Sequence, residues 1–136
     1  MRFDRHRLDQ MRADLGAERC ERIIDRYLDT ATRLPSKLSR HLAAHDISAL
    51  GSTAHKLASA ASLIGLNALA GRAKQLLATC RTGTWTQLNR ETAQLRQYIR
   101  RSGESLSDYR EALRDDTGAD RAGTPGGDAA DSVAPS

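Results

Sequence analysis

The chain has 136 residues, three prolines, 4% aromatic residues and a formal charge of +4. That length fits one domain with a single core, and a Leu-, Ala- and Arg-rich composition poor in aromatics disfavours a β fold. No apolar run approaches the roughly 20 residues of a membrane span, and the opening Met-Arg-Phe-Asp-Arg-His lacks the apolar stretch of a secretory signal, so a cytoplasmic protein is expected.

A short first helix is predicted from about Asp4, its N-cap, to Leu15, with Gly16 as its stop. A second helix follows over about 17–44. Its inward positions are Cys20, Ile24, Tyr27, Ala31, Leu34, Leu38 and Leu42, spaced three or four apart throughout. Pro35 falls inside this run and is expected to kink or restart the helix. Asp46 caps a third helix that ends near Gly65, Asn67 caps a fourth that ends at Gly83, and Thr84 caps a fifth. The fifth carries Trp85, Leu88, Thr92, Leu95, Ile99, Ser102, Leu106, Tyr109 and Leu113 in unbroken steps of three and four, a stripe that needs a partner surface along its length. Ser102-Gly103 is a place where that helix would bend. The last stretch, DDTGADRAGTPGGDAADSVAPS, offers Val133 as its one large aliphatic residue and reads as a disordered tail.

These elements imply an all-α fold: an antiparallel up-down four-helix bundle over residues 1–114 with a short extra N-terminal helix as a lid, followed by the tail at 115–136. Asp115, Asp116, Asp120, Asp128 and Asp131 against Arg121 give the tail a net charge of −4, which leaves +8 on residues 1–114. A basic body suits an acidic partner surface. Cys20 and Cys80 lie far apart within helical patterns and read as buried reduced thiols.

The third helix carries the chemistry. Ile47, Leu50, Ala54, Leu57, Ala61 and Ile64 form its buried face. Ser48, Ser52, His55, Ser59 and Ser62 form a second stripe about 100° round the helix. His55 is therefore beside the core and not in it. Its helical neighbours are Gly51, Ser52, Ala58 and Ser59, all small, so a second protein can approach the imidazole closely. Lys56 follows it directly, and Arg72 and Lys74 on the fourth helix are candidates to neutralise an anion there. A neutral imidazole is a competent nucleophile. It can take a phosphoryl group from an aspartyl phosphate and return it to another aspartate, a transfer that asks mainly for positioning and charge neutralisation. Such a carrier needs no cofactor of its own when the partner supplies the Mg²⁺.

AHKLASAASLIG, residues 54–65, resembles the phosphohistidine motif of histidine-containing phosphotransfer (HPt) domains, A-H-x-L-K-G-x-A-x-x-x-G. Ala54, His55, Leu57, Ala60 or Ala61, and Gly65 fit it. The likeness extends over about 5–113 and takes in LDTATRLPSKLSRHLAAHD before the motif and ALAGRAKQLLATCRTG after it. It implies a four-helix bundle with His55 exposed and phosphorylated as an intermediate of a multistep two-component phosphorelay. It also implies response-regulator receiver domains as partners, and a hybrid sensor histidine kinase as a further one, for a cytoplasmic monomer that docks through Ser52, Ala58 and Ser62 around His55. The chain departs from the motif at Ala58, where the family has lysine, and at Ser59, where it has glycine. Lys56 or Lys74 would replace the lost lysine, and the Ser59 hydroxyl would bond the phosphate.

Other readings compete. His41 and His45 are four apart, but no Cys, Asp or Glu at a convincing spacing completes a metal site beyond the adjacent Asp46; they read, like His6, as solvated. No Gly-rich nucleotide loop is present for autokinase activity. Without His55 the sequence would describe a basic helical interaction module. Nucleic-acid binding is disfavoured, because aromatics are scarce and the arginines are scattered over several helices.

Overall fold

The computed structural model describes residues 5–123. Five helices follow in chain order: α1 Arg5–Leu15, α2 Ala17–Ala43, α3 Ile47–Leu63, α4 Asn67–Thr82 and α5 Trp85–Gly123. The expected cap at Asp4 lies outside the described residues, as does the tail beyond Gly123. Helical backbone continues past residue 114 as far as Gly123, because extending a formed helix is far easier than starting one.

The turns explain where the helices stop. His45 follows the C-cap Ala44 of α2 with φ 56°. The Asp46 N–H donates to the His41 carbonyl and the His45 N–H to the Leu42 carbonyl, the Schellman pattern that satisfies the last carbonyls of a helix. Glycine usually takes this left-handed position. Here a histidine does, and its ring stacks on Trp85 at 4.1 Å between centroids and 4° between planes. Gly65, at φ 82°, closes α3 in the same way, with the Leu66 N–H on the Ala61 carbonyl. Asp46 caps α3 as the sequence predicts, its Oδ1 accepting from the Ala49 N–H at 3.0 Å. Thr84 caps α5 through a reciprocal pair: Thr84 Oγ1 accepts from the Gln87 N–H, and Gln87 Oε1 accepts from the Thr84 N–H, a capping box.

Three expectations are corrected. Asn67 is not the cap of α4; the buried Leu66 takes that place, because the Gly65 turn points it into the core. Pro35 does not restart α2, which runs through it as one helix. Trp85 leaves the core stripe: it is 40% exposed and packs on His45.

The other stripe positions behave as their spacing requires. From Leu88 to Leu113 every predicted inward residue of α5 is buried, including Thr92 and Ser102. On α2 the run from Cys20 to Leu38 is buried, and Leu42 is half-buried. The helices form an antiparallel ring in which α3 packs on α4, α4 on α5 and α5 on α2. Side-chain pairs record the opposed directions. Thr79 Oγ1 donates to Glu91 while Arg72, a turn and more earlier, donates to Gln94. Asp25 accepts from Arg110, and the earlier Glu21 accepts from the later Arg114. α1 lies across α2, with Leu8 and Met11 buried, the Tyr109 hydroxyl donating to Asp9 at 2.8 Å and Arg7 donating to the Leu63 carbonyl. No helix among the described residues is long and apolar enough to cross a membrane.

Candidate functional site

The face between α3 and α4 is set by a glycine. Gly51 is buried, and a Cβ placed on it would lie 3.4 Å from Leu77 Cδ1 and 3.7 Å from Cys80 Cβ. The two helices approach closely enough at this level that a methyl group on Gly51 would already touch α4. Above it lies an open groove of about 390 Å³, lined by Ile47, Ser48, Gly51, Ser52, His55, Leu77, Cys80 and Arg81. His55 stands exposed at one end of this groove, near the middle of α3.

The sequence-predicted residues divide. Ser52 lines the groove with His55. Ser48, Ser59 and Ser62 are exposed on the same stripe, above the buried row Leu50, Ala54, Leu57 and Ala61. Lys56 is exposed but stands about 100° round α3 from His55. Two residues are corrected. Ala58 is 4% exposed and lies in the core, so it offers no docking surface; its position three after His55 carries it over the shoulder of the helix toward α4. Arg72 does not face His55. It projects from the opposite flank of α4, donates to Gln94 on α5 and lies over the Tyr98 ring at 5.1 Å. Lys74 is exposed and three residues before Leu77, hence on the α3-facing flank of α4, yet it does not line the groove.

Leu77, Cys80 and Arg81 of α4 join His55 and its helical neighbour Gly51 in the groove, and helical spacing within α3 could not place them there. The available signal was the i, i+4 pair Leu77 and Arg81 together with the lone glycine one turn before the histidine. Cys80 is half-buried, and burial first, then the nearby Glu91 carboxylate, push its thiol up. It is a poor thiolate. Cys20 is buried and is likewise a free thiol with its pKa raised by burial.

The remaining imidazoles have separate settings. His41 Nε2 lies 3.2 Å from Thr53 Oγ1, and His45 is held against Trp85. Among the described residues no three His, Cys, Asp or Glu side chains come together as a metal site would need.

The site is thus an exposed imidazole over a shallow groove with a small-residue floor, bordered by one arginine. An imidazole so placed can act as a nucleophile toward a group carried by a visiting macromolecule. In comparison with known families, the model described as Hpt domain matches residues 22–105. No curated protein and no solved structure matches the chain.

Proposed function

The chain belongs to the Hpt domain family, whose members carry out histidine phosphotransfer in phosphorelay signalling, and on that premise we propose that His55 is its phosphorylated residue. His55 accepts a phosphoryl group from the aspartyl phosphate of one receiver domain and donates it to the aspartate of another, as an intermediate of a multistep relay. The lone pair of the neutral imidazole forms the N–P bond as the P–O bond to the aspartyl carboxylate breaks. The carboxylate leaves with the electron pair, and the proton on the other ring nitrogen stays on the ring. Return of the group reverses each step.

The observation that carries this reading is the exposure of His55 at mid-helix over a groove floored by Gly51. A receiver's phosphorylated pocket is concave, so the imidazole must project beyond its neighbours to enter it. Ser52 and Ser59, one turn away on either side, leave that approach open. The Mg²⁺ and the acidic pocket are the receiver's, and the histidine carrier supplies position and charge. The net +8 of residues 1–114 attracts such an acidic surface and raises the association rate. The α3–α4 face, with Ser52, Ser59 and Ser62, is the docking surface, and the protein works in the cytoplasm as a monomer between receivers and a hybrid sensor kinase.

The test is transfer from a ³²P-labelled receiver domain. The chain takes up label that is lost in acid and kept in base, and His55→Gln takes up none. Absence of label from a broad panel of receivers would leave a helical interaction module instead.

A further inference from the structure

We propose that Arg81 is the cation that holds the phosphoryl group on His55, taking the part for which α3 itself has no suitably placed side chain. The inference rests on the reading of His55 given above. A phosphoryl group brings two negative charges to the ring, and a nearby guanidinium is the side chain best matched to them, with paired N–H donors at the spacing of two phosphate oxygens. Three residues after His55, the side chain is a buried methyl group, Ala58. Lys56 is a quarter-turn away on another flank, and Arg72 is engaged with Gln94 and Tyr98 on the far side of α4.

Arg81 shares the groove with His55, and the direction of the two helices brings their side chains together. Every Cα–Cβ bond in an α-helix tilts toward that helix's own N-terminus. Because α3 and α4 are antiparallel, His55 leans back over Gly51, and Arg81 leans back over Leu77. Gly51 and Leu77 face each other, with only 3.4 Å between Leu77 Cδ1 and a Cβ placed on Gly51. The two side chains therefore converge over the one position of the groove floor that has no side chain. The long apolar stem of an arginine at this position can lie along Leu77 while its charged end reaches over the gap. Lys74 obeys the same rule with the opposite result: it leans toward the N-terminus of α4, away from the groove.

Two phosphodonors separate contact with the phosphoryl group from docking. Phosphoramidate is small and needs no protein surface, whereas a phosphorylated receiver needs both. Arg81→Ala should slow labelling of His55 about tenfold or more with either donor, in line with loss of a charge-assisted hydrogen bond. Arg81→Lys should recover most of that rate, and Lys56→Ala and Arg72→Ala should remain within about twofold of the parent chain. Circular dichroism of Arg81→Ala should match the parent, since Arg81 is exposed. Wild-type rates in Arg81→Ala, or slowing with the receiver alone, would overturn the assignment of Arg81 while leaving His55 as the acceptor. No acid-labile label in the parent chain with either donor would overturn the reading of His55, and the role of Arg81 with it.

Discussion

Gly51 is where the packing of the bundle and the openness of the groove meet, and it can be perturbed in two graded steps. A methyl group at this position lies 3.4 Å from Leu77 Cδ1, 3.7 Å from Cys80 Cβ and 3.8 Å from Cys80 Sγ. These are ordinary van der Waals contacts, so Gly51→Ala fits without moving either helix. It removes the conformational freedom of a helical glycine, worth about 0.5–1 kcal/mol, and buries a methyl group besides. The net gain should be about 1 kcal/mol, or a rise in Tm of about 4 °C for a domain of this size. Gly51→Leu is different. Its branched carbons extend past the Cβ into space that Leu77 and Cys80 already fill. Either the helices part, at about 1–3 kcal/mol, or the side chain swings out and fills the groove between His55 and Arg81. Thermal melts followed at 222 nm and transfer rates from a phosphorylated receiver report the two effects separately. Gly51→Ala should melt higher, and Gly51→Leu should stay helical while losing at least about tenfold in transfer rate, the size of one lost charge-assisted contact. A destabilised Gly51→Ala would refute the spacing of α3 and α4. Wild-type transfer in Gly51→Leu would refute the groove as the place where the group is handed over.

Ser59→Arg places a long side chain on the exposed stripe one turn after His55; it should block transfer from a receiver yet leave labelling by phosphoramidate intact, and undiminished receiver transfer would move the docking surface elsewhere. Leu57→Asp should abolish the folded state in a circular-dichroism spectrum. Leu57 is 3% exposed, and the change loses about 2–5 kcal/mol of packing and buries an unpaired carboxylate, together comparable to a domain's whole stability of about 5–15 kcal/mol. A cooperative melt in that variant would contradict the core assignment. Alkaline pH should weaken the fold. Burial first, and then the hydrogen bond to Asp9, push the Tyr109 phenol up, and burial does the same at Tyr27. The folded chain therefore keeps protons that the unfolded chain releases above about pH 10. Stability should be full below that pH and fall as pH rises beyond it. Urea midpoints between pH 8 and 11 check this, Tyr27→Phe should lessen the fall, and a flat profile would contradict it.

The bundle was legible in the sequence because helical spacing records burial. The inward runs of α2, α3 and α5 needed no knowledge of their partners, and Asp46 and Thr84 announced two helix starts by their own chemistry. The exposure of His55 was legible for the same reason, since a stripe of serines one position off the core stripe marks an exposed face. Misreadings arose where a neighbouring element decides. Trp85 fits the core spacing of α5 but lies at the bundle's end, where His45 in a left-handed turn gives it a ring to stack on. Asn67 has the chemistry of a cap, yet the Schellman turn at Gly65 puts Leu66 there. Arg72 and Arg81 are indistinguishable as charges in a sequence. Only the pairing of α4 with α3 on one flank and α5 on the other assigns the first to Gln94 and Tyr98 and the second to the groove.

Phosphorylating the full chain and fragmenting it under neutral conditions by electron-transfer mass spectrometry tests the central claim most directly. The phosphoryl mass should appear on the fragment that begins to include His55, and should vanish after brief acid treatment. Phosphoryl mass on Ser52, Ser59 or another residue that survives acid, with His55 unmodified, would contradict it.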